Sequence, residues 1–217
     1  MIFCEDYAAQ KLVEKVLMYI NKEQYFDVVY YHGGEKTLVN HYMTPIALNR
    51  YLSQKIYLML DGDMKTDYVF NEDVLTKNQI EDDKYLERCV KDAYGMCLDT
   101  YPDSENGNGR VDQKCEQYLS YLRYYKTNVF YLPGKMIPEE IILKSNYVDK
   151  MYKEILNQYR IINASNAKEV IREISEFDHG DGLHINDTIS VLANKWSQEE
   201  SILRTELIDM INEIFNK

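Results

Sequence analysis

The chain has 217 residues, 45% hydrophobic and 28% charged, a mix that suits one domain with a small appendage and ample apolar surface for a core. Its formal net charge of −11 argues against an autonomous duplex-DNA binder that grips phosphates with Lys and Arg; action on nucleic acid would need divalent metal or a partner domain to offset that charge. No apolar run approaches the roughly 20 residues of a membrane span, no secretory leader pattern is present, and the four cysteines lack C-x-x-C spacing, which predicts reduced thiols in a cytoplasmic protein.

"MIFCED" (1–6) reads as a short apolar strand ending in two acids, Glu5 and Asp6. The next stretch, 8–22, carries Leu12, Val13, Val16, Leu17 and Ile20 at helical spacing. "FDVVYY" (26–31) is a second strand, stopped by Gly33-Gly34, and 35–53 reads as one or two helices with Pro45 starting a new segment. "KIYLMLDGD" (55–63) is the third strand. Residues 71–99 read as helical with a charged face, 102–110 as a turn rich in Gly, Asn and Asp, and 111–126 as a helix. "NVFYLPG" (128–134) is the fourth strand, followed by a mostly helical stretch with Pro138 in its first turn. After residue 163 only helices are expected. The 20 tyrosines, many in helical stretches such as 118–125, read as packing for half-buried helix faces.

Nearly continuous apolar strands alternating with helices predict an α/β fold: a Rossmann-type, mainly parallel sheet of about four strands flanked by helices, with a helical carboxyl-terminal tail. The expected domains are 1–145, with a helical insertion at about 71–127, and a helical extension over 146–217.

Functional groups of such sheets collect at the carboxyl ends of the strands. Here those ends carry Glu5 and Asp6, then Asp61 and Asp63, then Lys135, Glu139 and Glu140. With Gly62 letting the chain turn, Asp61 and Asp63 can converge on one cation, and hard oxygen ligands suit Mg²⁺ or Mn²⁺. Asp and Gly are also common where a strand simply ends in a turn.

"FCED" on the first strand, "HGGEKTL" after the second and "LMLDGD" on the third, in that order, resemble the Toprim fold shared by type IA topoisomerases, primases and the OLD-family (overcoming lysogenization defect) nucleases. The closer resemblance is to the Toprim domain of OLD-like and related ABC-type ATPases, many linked to defence against phage. "FYLPGKMIPEEIIL" and the "DHGD" link at 178–181 are similar to segments of those proteins. The resemblance implies an Mg²⁺-dependent endonuclease that cleaves or nicks DNA, working with an ATPase domain or subunit. It assigns Glu5 to metal binding or general acid/base work, Asp61 and Asp63 to the metal-binding D-x-D, Lys135 to the lysine near the scissile phosphate and Glu139 to a second metal, with Asp6 and Glu140 as additional acids. Two positions depart from the family: Asp6 where many members have Gly, and Ala9 where the OLD nucleases often carry an acid. Both bear on the second metal.

The expected partners are thus a DNA substrate and an ATPase, with self-association into a homo-oligomer compatible with the sequence. Because Met1 stands almost on the first strand, the expectation is either a piece of a longer ATPase or a separate subunit. The rival readings are a catalytically weak Toprim-like module that docks on an ATPase and, less favoured, a haloacid dehalogenase-type phosphatase; "DGDMKT" puts Lys65 where that D-x-D-x-T motif needs threonine. A calcium loop at 104–115 fails on its ligands, with Ser104 first and Cys115 twelfth. His179, Asp181 and His184 offer metal-binding side chains, but a solvated loop with a helix cap is the favoured reading.

Overall fold

The computed structural model describes residues 1–103, 110–180 and 182–217. It is an α/β fold with a four-stranded, all-parallel sheet flanked by helices and followed by carboxyl-terminal helices. The strands are β1 (Ile2–Cys4), β2 (Val28–Tyr30), β3 (Tyr57–Leu60) and β4 (Val129–Tyr131), in the order β2-β1-β3-β4. The register pairs Ile2 with Val28 and Cys4 with Tyr30. All of β1 and β3 is buried, whereas edge strand β2 is half-buried throughout. The central strands read as uninterrupted apolar runs because both of their faces are covered.

Two compact units make up the chain: residues 1–31, 59–63 and 130–217, and residues 32–58 and 64–129. In the first, α1 (Tyr7–Tyr19) begins where the Asp6 side chain accepts a hydrogen bond from the Ala9 N–H at 2.9 Å. Such a cap stabilises a helix by about 1 kcal/mol. Its apolar stripe, Leu12, Val13, Val16 and Leu17, is fully buried, and its most extensive packing is against the Ile185–Gln198 helix of the tail. Trp196, on that tail helix, is 1% exposed. Residues 146–217 thus lie in the same unit as β1. A carboxylate fastens them: Glu199 accepts from the Ser145 hydroxyl at 2.7 Å and from the N–H groups of Asn146 and Tyr147 at 2.6 and 2.8 Å.

In the second unit the expected helix over 71–99 is broken up. Its segments are Glu72–Val74, Lys77–Ile80 and Asp83–Tyr94, each started by its own capping residue, Asn71, Thr76 and Asp82. Gly95, at φ 71°, ends the last one, because a left-handed residue stops the ladder of helical hydrogen bonds. Pro45 does begin an α segment, Thr44–Leu48, but the preceding Leu38–Met43 continues into it as a π-helix. A proline has no N–H for the usual bond to residue i−4, so the register before it relaxes. The tyrosines act as packing groups with a polar tip. The hydroxyls of Tyr94, Tyr121 and Tyr124 donate to the carbonyls of Tyr121, Asp99 and Ile56 at 2.8, 2.9 and 2.8 Å.

Candidate metal centre

A parallel sheet brings all its carboxyl ends to one side, and β1, β3 and β4 are adjacent. Glu5 and Asp6 follow β1, Asp61 follows β3, and the turn Pro133–Lys135 and helix Pro138–Leu143 follow β4. The three acidic groups read from the sequence therefore leave from the ends of three neighbouring strands, ends that all fall in the first unit.

Gly62 sets the spacing between two of them. Its N–H donates to the Met136 carbonyl at 3.0 Å, while the Leu132 N–H donates to the Leu60 carbonyl at 2.8 Å. A Cβ on residue 62 would lie 2.4 Å from the Leu132 carbonyl oxygen and 2.8 Å from the Met136 nitrogen. The glycine is demanded by this close backbone approach, since its φ is not among the positive ones. It is Gly134 and Lys135, at φ 77° and 53°, that turn in the left-handed region. For Lys135 this costs roughly 1–2 kcal/mol.

The acids differ in what they do. Asp61 is 7% exposed and its Oδ1 is buried with no hydrogen-bond partner among the described residues; Glu139 is 5% exposed and its Oε2 is in the same condition. Glu5 is half-buried, and Asp63 and Lys135 are exposed. Asp6 caps α1, and Glu140 caps its own helix by accepting from the Ile137 N–H at 3.2 Å. Burial, and then the charges of Glu5, Asp6, Glu139 and Asp63, push the Asp61 carboxyl up to about 9. Burial and then Asp6 also raise Glu139, against the pull of Lys168. Beneath them the Cys4 thiol is pushed well up by burial and by Asp6, Asp61 and Glu14, which makes it a poor nucleophile.

Lys168 was not among the residues marked by the sequence. It stands in the first turn of the Ala167–His179 helix, with Nζ 3.7 Å from Asp6 Oδ2 and 3.6 Å from Glu139 Oε1. Burial opposes its charge, but Glu139, Asp6 and Asp61 raise its pKa on balance. One signal could have found it: a lysine in a helix's first turn faces the positive end of the macrodipole, so it is better explained by a partner elsewhere.

A hard divalent cation fits this donor set. All the donors are carboxylates, Asp61 Oδ1 and Glu139 Oε2 among their oxygens are buried without a hydrogen bond among the described residues, and such orphans in a fold call for an explanation of this kind. Among the described residues, however, no three His, Cys, Asp or Glu side chains are already gathered as a metal cluster. Burial and the neighbouring carboxylates favour the protonated form of Asp61 in the absence of metal. Elsewhere, the rings of His179 and His184 are 4.9 Å apart and His184 Nδ1 is 3.2 Å from Asp187 Oδ2. Asp181 and the 104–109 part of the calcium-like loop lie outside the described residues. No described helix is long and apolar enough to cross a membrane.

Comparison with known proteins finds no matching family model, no matching curated protein and no matching solved structure.

Proposed function

We propose that this strand mouth is a Toprim-like site for Mg²⁺ or Mn²⁺ that serves cleavage or nicking of DNA phosphodiesters, in concert with an ABC-type ATPase domain or subunit of the OLD-like kind. The observation that carries the reading is Asp61. It is buried at the carboxyl end of a central parallel strand, with an oxygen that has no hydrogen-bond partner among the described residues and four further carboxylates acting on it. A buried carboxyl left so costs about 1–3 kcal/mol, which a bound cation would offset. The choice of DNA and of an ATPase rests on the ordered motifs "FCED", "HGGEKTL" and "LMLDGD".

In this reading Glu5, Asp61 and Asp63 hold the divalent ion, with Glu139 on the side of a second. When bound, such an ion supplies charge neutralisation and an acidified water. The chain's own groups do the rest. Glu5 would take the proton of the attacking water as oxygen adds to phosphorus and the bond to the leaving sugar oxygen breaks, and that oxygen would take up a proton from solvent to leave as a hydroxyl. Lys135 faces the charge that grows on the phosphoryl oxygens. Asp6 caps α1, and Glu140 caps the helix that carries Glu139.

The second reading, a catalytically weak module docking on an ATPase, has a specific observation in its favour: no three ligating side chains are preassembled among the described residues. One experiment separates the two. Mg²⁺ and Mn²⁺ are titrated by calorimetry into the wild type and Asp61→Ala/Asp63→Ala, with plasmid nicking followed in the same buffers. Binding and nicking that both vanish in the variant support the nuclease. Binding without nicking favours the docking module or an absent ATPase, and no binding by the wild type rejects the metal site.

A further inference from the structure

Lys168 reaches the carboxylates from a stretch of chain remote in sequence from all of them, and it does not meet them evenly. Asp6 commits Oδ1 to the α1 cap and turns Oδ2 to the lysine; Glu139 turns Oε1 to the lysine and keeps Oε2 buried. Asp61 forms no ion pair among the described residues. We propose that Lys168 is a tethered counter-cation that closes the Asp6–Glu139 half of the cluster, so that the strand mouth takes one divalent ion, at Asp61, and admits a second only when Lys168 withdraws. This rests on the metal-site reading above.

The geometry suits a gate better than a permanent brace. At 3.6 and 3.7 Å the contacts are ion pairs of moderate length, and the lysine side chain is 66% exposed while Glu139 is 6% exposed. The ammonium can therefore leave without opening the core. An ammonium on a flexible four-carbon stem is a mobile point charge, and a phosphate arriving at the site is a natural place for it to go. Lys168 would then be a positioning residue that matches the cation count to the presence of an anionic substrate.

The test is a calorimetric titration of Mn²⁺ into the full chain as wild type, Lys168→Met and Lys168→Arg, with thermal unfolding in chelator to verify that each variant is folded. The expected result is one equivalent bound by the wild type and by Lys168→Arg. Lys168→Met should gain a second equivalent, held about tenfold or more tighter than any second ion in the wild type, the scale expected for removing one charge at this distance in a wet site. Unchanged stoichiometry and affinity in Lys168→Met overturn the proposal and leave the Asp61 site standing, as do two equivalents already bound by the wild type. Binding seen only in Lys168→Met also overturns it, because the wild type must hold one ion at Asp61 while Lys168 stays in place. Absence of Mn²⁺ binding in both the wild type and Lys168→Met overturns the metal reading itself, and this inference with it.

Discussion

Gly62 and Leu132 approach so closely that a single added carbon on residue 62 would sit 2.4 Å from the Leu132 carbonyl oxygen. The obstacle is backbone, which cannot swing aside as a side-chain tip would. Gly62→Ala should therefore cost about 2–3 kcal/mol through overpacking and should displace Asp61 from its strand mouth. Urea unfolding and Mn²⁺ calorimetry on the same preparation check both effects. A variant as stable as the wild type would show that the β3 and β4 loops yield more easily than the spacing indicates.

Asp61→Asn tests the electrostatics of the site in the absence of metal. The carboxyl is pushed up to about 9 in the fold, against an ordinary value near 3.8. Between those limits the unfolded chain has released the proton that the folded chain still holds. The wild type thus loses stability as pH rises from about 4 to about 9, while the amide, which does not titrate, loses none by this route. The advantage of Asp61→Asn should grow through that window to about 2–4 kcal/mol at pH 8, below the full linkage value because water entry and relaxation soften it. Melting temperatures in chelator at pH 5 and pH 8 measure the trend. Added Mg²⁺ should narrow the gap by stabilising the wild type alone.

Glu199 offers a contrasting pH response. Although its burial acts the other way, hydrogen bonds from Ser145, Tyr147 and Asn146 hold this carboxyl below its usual value. Its contribution is present at neutral pH and is lost as pH falls through that lowered value. Glu199→Gln should cost about 1 kcal/mol at pH 7 and little in acid, and a double comparison with Ser145→Ala would show the shared hydrogen bond.

Trp196 ties the tail to α1's unit. Trp196→Ala should lower stability by about 3–5 kcal/mol, as for a large aromatic removed from a packed core. Truncation after residue 145 should expose the α1 stripe and abolish cooperative unfolding of the first unit. Circular dichroism and a denaturant titration decide it; a cooperatively folded truncation product would mean that α1 finds other cover.

The strand mouths were legible because they depend on local pattern. "KIYLMLDGD" carries its own strand, stop and acids, and parallel order then brings Glu5, Asp61 and Glu139 to one side. Gly62 was legible as a necessity but not for its reason, since the carbonyl it makes room for lies 70 residues further on. Lys168 was hidden for the same cause. No local pattern says which acids a helix's first-turn lysine will meet, and that depends on the packing of the Ala167–His179 helix against the Pro138–Leu143 helix. The broken helices between 71 and 99 were misread where a charged, periodic stretch outweighed three successive caps, Asn71, Thr76 and Asp82.

The path of the chain through the first unit also sets an order of events. Glu5, Asp61 and Glu139 are synthesised well before Lys168 and before Trp196 can cover α1. A growing chain therefore carries these acids before the lysine that pairs with Asp6 and Glu139 has been made. Pairings so distant along the chain are slow to form, so the lysine's contacts with Asp6 and Glu139 depend on the docking of the Ala167–His179 helix. The strand mouth is thus a property of the assembled first unit and of no single segment, since groups from residue 6 to residue 168 meet there.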